Sequence, residues 1–388
     1  VTEAEIRALW PGASKVRYFN AASQALLPVP VADAVRRTLD RWVEGGIHAW
    51  PEDMREVEGA RSLLARLVGA DPRDVAFTAN TADAVARVAL GLGLREGDEI
   101  VLSDLEYPAN VYPWTTRGAR LRLVPSSGGR VDPERLVDAI GPRTRVLALS
   151  MVQFSSGFRS DLAPLGEACR RRGVLFFVDV IQGLGVFPVD MRAMGIGALA
   201  GEGRKWLAAP PGTGFLAVGP EWIARIRPSS IGAMSVSPDF GMLGWVPRVA
   251  REGDLDLDPV YREGAGRYEA GYYNVAGLAG LAAALALHRS IGPETVRSRV
   301  EARVDEIVRG VESLGLPVFG PRAREERSGI VSIEVAGDAE VWRRQLAGAG
   351  ISVGVRDGRL RAAPHVYNEG RDVEALLEAL DRLRSARV

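Results

Sequence analysis

Cysteine is nearly missing from this sequence: Cys169 is the only one in 388 residues. An intrachain disulfide is therefore excluded, and so is a metal site built on several thiolates. Lysine is almost as scarce. Lys15 and Lys205 are the only two, and the remaining 47 of the 49 basic residues are arginine. Net charge is absent as well, with 49 basic against 49 acidic residues. That balance offers nothing to nucleic acid or to an anionic membrane. The longest apolar run, Val275–Leu287, is too short to cross a bilayer. The opening stretch Val1–Trp10 is too polar for a secretory signal. The expectation is a soluble, cytoplasmic protein with a small-molecule substrate and no nucleic-acid or membrane partner.

The scarcity of lysine has a chemical edge. Arginine replaces lysine on a solvated surface, but its guanidinium stays protonated and cannot attack a carbonyl. In a chain that has otherwise given lysine up, each survivor is a candidate for amine chemistry.

Composition is otherwise globular, with 47% hydrophobic and 25% charged residues. At roughly 100–200 residues per domain, the length suggests two domains. β-rich runs at Asp74–Thr78, Glu99–Ser103, Arg120–Pro125, Arg145–Ser150, Val174–Asp179 and Thr213–Val218 alternate with helical patterns at Val57–Val68, Ala82–Leu92, Pro133–Ile140 and Leu162–Arg172. This alternation predicts an α/β fold with a mostly parallel central sheet and helices on both faces. Ligands of such sheets gather at the strands' carboxyl ends. A loop-rich stretch, Arg227–Gly266, is long enough to cover a site or an interface. An Ala/Leu-rich helix follows over 274–290. From Pro293 the pattern reads as a smaller α+β unit: helix 294–314, strand 329–335, helix 338–349, short strands near 351–355 and 358–362, and a closing helix 371–386. The expected division is a large domain over 15–280 and a small one over 281–388, the latter packed with segment 1–14.

Asp179, Gln182 and Lys205 form the constellation that carries chemistry. Asp179 ends the apolar strand Phe176-Phe-Val-Asp179, and Lys205 lies just before the Gly-rich run Pro210-Pro-Gly-Thr-Gly214. A lysine amine and a carboxylate facing one ligand are what pyridoxal 5′-phosphate (PLP) requires. The amine forms a Schiff base with the aldehyde, and the carboxylate keeps the pyridine nitrogen protonated. Taken singly, an Asp at a strand end is also an ordinary cap, and a Lys beside glycines an ordinary surface residue. Asn80-Thr81-Ala-Asp83 opens a helix after a strand, a place suited to phosphate and equally to a plain N-cap.

Together these residues resemble the class V aminotransferase family, PLP enzymes of fold type I that include cysteine desulfurases and isopenicillin N epimerase-like proteins. The resemblance runs over roughly residues 15 to 370. It rests on Tyr18-Phe-Asn-Ala-Ala-Ser23, Phe77-Thr-Ala-Asn-Thr-Ala-Asp83, Asp104-Leu-Glu-Tyr-Pro-Ala-Asn-Val-Tyr-Pro-Trp114, Val178-Asp-Val-Ile-Gln182, Gly203-Arg-Lys-Trp206, Arg267-Tyr-Glu-Ala-Gly271 and Arg361-Ala-Ala-Pro-His-Val-Tyr-Asn368. It implies that Lys205 is the Schiff-base lysine, Asp179 the pyridinium partner and Gln182 the ligand of the phenolic oxygen. Tyr107 takes the stacking position, where desulfurases carry His. Asn80 and Thr81 belong to the phosphate loop, and Gln153 to a segment that approaches the ring. Arg204 stands where desulfurases have His, and could bond the phosphate. Glu202 stands where they have Ser. Gly271 and Tyr272 reach the phosphate of a partner subunit in a homodimer. Arg361 binds the substrate carboxylate.

The persulfide-forming cysteine of a desulfurase belongs shortly before the Arg361 motif. Ile351–Gly358 holds none, and Cys169 reads as a packing residue on a helix. The implied function is chemistry at the Cα of an amino acid or amine. Transamination is ranked first, epimerisation second and cysteine-independent C–S cleavage third. Alternatives from other classes are a scaffold that keeps the fold without catalysis, and a dinucleotide-binding dehydrogenase on the weak Gly183-Leu-Gly185 or Gly91-Leu-Gly93 signals.

Overall fold

A computed structural model describes residues 2–237 and 259–385. Of the loop-rich stretch 227–266, residues 238–258 lie outside the described residues.

The strands, in chain order, are β1 Arg17–Tyr18, β2 Val75–Thr78, β3 Glu99–Ser103, β4 Arg120–Val124, β5 Thr144–Ser150, β6 Leu175–Asp179, β7 Ala198–Glu202, β8 Gly214–Val218, β9 Val318–Phe319, β10 Val331–Ile333, β11 Ile351–Ser352, β12 Gly354–Arg356 and β13 Arg359–Ala362. Seven of them form the central sheet in the order β2-β8-β7-β6-β5-β3-β4. The pairs from β7 through β6, β5 and β3 to β4 are parallel. β8 is antiparallel to both of its neighbours. β2 therefore runs in the same direction as β7, and the carboxyl ends of β2, β3, β5, β6 and β7 share one edge. β2, β3, β6, β7 and β8 are buried along their whole length, as strands covered on both faces must be.

All six strands expected in this region are present. β7, Ala-Leu-Ala-Gly-Glu, went unread because its small residues carry little β propensity. Its location at the centre of the sheet explains the composition. A Cβ on Gly201 would lie 2.5 Å from the Phe215 ring on β8, so the neighbouring strand's large side chain occupies that space.

The helices Trp50–Leu67 and Val275–Ile291 pack together, and Val29–Gly45 packs on the latter. Residue 281, the expected boundary, falls inside Val275–Ile291. The C-terminal part builds a second sheet, β12-β13-β10-β9. β1 pairs with β11 in parallel, and Arg7 bonds the Asp372 carboxylate at 2.6 Å. The N-terminal segment is thus tied to the C-terminal elements.

Candidate active site

Asp179 is the last residue of β6 and is 2% exposed. It accepts the Ile181 N–H at 2.9 Å. Burial raises its pKa, the Ile181 bond and the Lys205 charge pull it back, and the neighbouring Glu106 raises it further. Lys205 follows β7 and is buried. Burial lowers the pKa of its amine, Asp179 opposes that shift, and Arg204 and Arg361 reinforce it. That direction favours the neutral amine that carbonyl chemistry needs. The Tyr107 ring faces the lysine, its centroid 5.9 Å from Lys205 Nζ. The ring is 45% exposed and meets Phe154 edge-on at 5.1 Å. An aromatic face half open beside a buried amine is a stacking platform for a flat ring.

The neighbour of the lysine anchors it. Trp206 is buried, donates its indole N–H to Gln182 Oε1 at 3.2 Å, and offers its carbonyl to His365 Nε2 at 3.0 Å. An indole only donates, so Gln182 must turn Oε1 toward it. The Gln182 amide nitrogen then bonds the Ala22 carbonyl at 3.0 Å and keeps a second N–H. His365, unassigned from sequence, is a buried wedge stacked on both Trp206 and Tyr367.

Glu106 was missed. Its carboxylate accepts Ser150 N–H at 2.9 Å, Ser150 Oγ–H at 2.5 Å, Gln153 Nε2–H at 2.7 Å and Asn110 Nδ2–H at 2.8 Å. Burial raises its pKa and these four bonds lower it. It ties the segment after β3 to the end of β5, whose Ser150 is in register with Asp179 on β6. Gln153 is fully buried and spends its amide on Glu106. Glu106 stands inside the motif that marks Tyr107, but nothing in the sequence says that this charge is buried.

At the other end of the site, Asn80 caps the helix Thr81–Gly91 by accepting Asp83 N–H at 3.0 Å. Asn80 is exposed, while Thr81 is buried. Thr78, Ala79, Gly212, Gly271 and Tyr272 line one hollow beside this turn. Gly271 faces open space, and Tyr272 is 62% exposed against Trp50. Arg204 lies elsewhere: its guanidinium bonds Glu202 at 3.0 Å and the Ser23 carbonyl. Glu202 also accepts Gly212 N–H at 3.1 Å. The Glu–Arg pair that replaces Ser and His therefore closes on itself and links β7 to the 20–23 segment.

Arg361 leaves β13 and is 1% exposed. It donates to the Phe154 carbonyl at 2.9 Å and to Ser23 Oγ at 2.8 Å. Burial and the nearby Arg356 lower its pKa to about 9.

A PLP-sized ligand fits the residues present. Several buried polar atoms in these segments have no hydrogen-bond partner among the described residues, Thr81 Oγ1, Gln153 Oε1 and Arg361 Nε among them. Buried polar groups are rarely left so without a ligand or water to meet them. The exposed helix start suits a phosphate, Asp179 a pyridinium, and Lys205 an aldehyde.

The profile described as Aminotransferase class-V matches residues 17–376. A probable cysteine desulfurase of Methanothermobacter thermautotrophicus is 27% identical over 94% of both chains. The isopenicillin N epimerase of Streptomyces clavuligerus is 28% identical over 84% of this chain and 83% of its own. Among solved structures, the cystine C–S lyase C-DES with its reaction product cysteine persulfide superposes with TM-score 0.87 at 26% identity, covering 96% of this chain and 99% of the other. With a lysine, a carboxylate and an aromatic ring brought to one sheet edge, and a family match over nearly all of its length, the chain belongs to the class V aminotransferases and is a PLP-dependent enzyme.

Proposed function

We propose that this enzyme acts at the Cα of a small α-amino acid and cleaves a carbon–sulfur bond at Cβ without using a protein thiol. The observation that carries it is the buried Lys205–Asp179 pair, with Tyr107 facing the lysine. PLP, when bound, supplies an aldehyde that condenses with amines and a ring that accepts the electrons left at Cα. Asp179 would hold the proton on the pyridine nitrogen. Gln182 offers its second N–H to the phenolic oxygen. Tyr107 would stack against the ring and exclude water there. Arg361 holds the substrate carboxylate. Lys205, as the free amine, would take the Cα proton. The Cβ–S bond then breaks, with its electron pair leaving on sulfur.

C–S cleavage is supported by the relatives named cysteine desulfurase and by the likeness to the cystine C–S lyase. That the sulfur stays with the product is supported by Cys169. It is 1% exposed on the helix Ala163–Arg172, and burial pushes its thiol up to about 12. A thiol so held is a poor nucleophile. Transamination, ranked first from the sequence, takes second place; it uses the same base, and the family description supports it. We also propose a homodimer, supported by the exposed Tyr272 at the phosphate end.

The test is to incubate the PLP-loaded protein with cystine, cysteine and alanine. Pyruvate with sulfide or persulfide from cystine or cysteine, and no reaction with alanine, is the expected result. Accumulation of the amine form of the cofactor with alanine would replace the lyase reading by transamination. Lys205→Ala should leave no cofactor fixed by borohydride.

A further inference from the structure

The β12–β13 hairpin carries three arginines on one face. Gly354 pairs with Arg361 and Arg356 with Arg359, so positions 354, 356, 359 and 361 point the same way. Arg359 is neutralised: it bonds Glu334 at 3.2 Å, and its guanidinium lies 3.7 Å from the centroid of the Phe319 ring. Arg356 and Arg361 are not, since neither has a carboxylate within ion-pair distance among the described residues. Both instead donate to one hydroxyl, Ser23 Oγ, Arg361 from 2.8 Å and Arg356 from 3.4 Å. Arg356 also donates to its own neighbour's carbonyl, Val355 O, at 2.6 Å.

The two guanidiniums thus share one hydroxyl, Ser23 Oγ, and neither meets a carboxylate there among the described residues. Arg361 Nε is buried without a partner. Gly354 lies against it: a Cβ there would sit 3.0 Å from Asn20 Oδ1, 3.6 Å from Arg361 Nε and 3.7 Å from its terminal nitrogen, so the residue at this position must stay small. Two guanidiniums that converge on one oxygen repel each other, and that repulsion is relieved by an anion seated between them. The turn joining the strands is tight, with Asp357 at φ +49° and Gly358 at φ +72°. Both are left-handed, the conformation of a two-residue hairpin turn, so Arg356 is held on a rigid ladder.

We infer that Arg356 is a second ligand of the substrate's α-carboxylate, which it and Arg361 grip from two sides at Ser23. This rests on the functional reading above and deepens it. The clamp demands a free α-carboxylate, so simple amines are excluded as substrates.

The probe is 2-methylalanine, an amino acid with no Cα proton to lose, titrated into PLP-loaded protein while the cofactor absorbance is followed. Arg356→Gln should weaken its binding by about tenfold or more, the scale of one lost charge-assisted hydrogen bond. Arg356→Lys should restore part of it, and the melting temperature should stay near that of the parent. With the turnover substrate the same variant should raise KM far more than it lowers kcat. Unchanged affinity in Arg356→Gln overturns the clamp. So does a loss seen only with aspartate and glutamate, which would make Arg356 a reader of the side chain. Failure of the broader reading shows separately, before any amino acid is added: wild-type protein that fixes no cofactor with borohydride is not this enzyme, and the clamp falls with it.

Discussion

At the scale of single residues, the site depends on side chains that are absent as much as on those present. Gly214, on β8 opposite Thr78, is the clearest case. A Cβ there would lie 2.5 Å from both Cα and N of Asn80. The obstacle is backbone, so the turn before the helix Thr81–Gly91 has to move. Gly214→Ala should weaken PLP binding by about tenfold, as oriented N–H donors leave the phosphate, and Lys205 should still be fixed by borohydride at saturating cofactor. Fluorescence titration of the cofactor-free protein checks it. Asp179 makes the complementary prediction. Asp179→Asn keeps the shape and loses the charge that holds the pyridine nitrogen protonated, so turnover should fall at least a hundredfold, within the range expected of a single electrostatic partner. Cofactor uptake should persist, which separates the two variants.

Elements are held by buried charge. Glu269 accepts Arg61 at 2.8 and 3.2 Å, Phe77 N–H at 2.7 Å and Tyr273 O–H at 2.8 Å. Arg61 and Glu269 are both buried, and Glu269 raises the guanidinium's pKa against the lowering by burial. The cluster ties the helix Trp50–Leu67 and strand β2 to the 269–273 segment that presents Tyr272. Glu269→Gln leaves Arg61 buried beside a neutral amide and should cost about 3–5 kcal/mol, as breaking one side of a buried pair does. Chemical denaturation measures it. His365 adds a pH dependence. Burial pushes its imidazole down to about 4, against about 6.5 in an unfolded chain. Between those values the unfolded chain binds a proton that the folded one refuses, so stability falls as pH drops from about 6.5 toward 4. A shift of about 2.5 units is worth roughly 3 kcal/mol. His365→Gln should remove that part of the slope, seen as a smaller difference between denaturation midpoints at pH 7.5 and pH 5.

For the whole molecule, the unpartnered apolar surface bears on assembly. Val43 is 87% exposed, Ile47 74% and Tyr272 62%. The first two lie at and just beyond the end of the helix Val29–Gly45, and Tyr272 packs against Trp50 a few residues further on. Exposed apolar side chains grouped in this way mark an interface. Val43→Glu with Ile47→Glu should shift sedimentation from dimer to monomer and weaken cofactor retention. A wild-type chain that sediments as a fully active monomer would refute the proposed dimer.

Much of this was legible in the chain itself. The apolar run at 174–178 announced a covered strand, and a lysine kept among 47 arginines announced amine chemistry, because residue type alone decides which groups can form an imine. The strand–helix alternation placed the candidate site residues at one sheet edge. Three things had to wait for the fold. β7 was hidden, since its alanines and glycine owe their place to the Phe215 ring on the next strand. Glu106 was hidden, since a carboxylate in a loop reads as solvated until four donors converge on it. The shared hold of Arg356 and Arg361 on Ser23 was hidden too, since it joins residues more than 300 positions apart. Sequence carries chemical identity and local periodicity; burial, and which charges are left without partners, arise only when distant segments close around the same few ångströms.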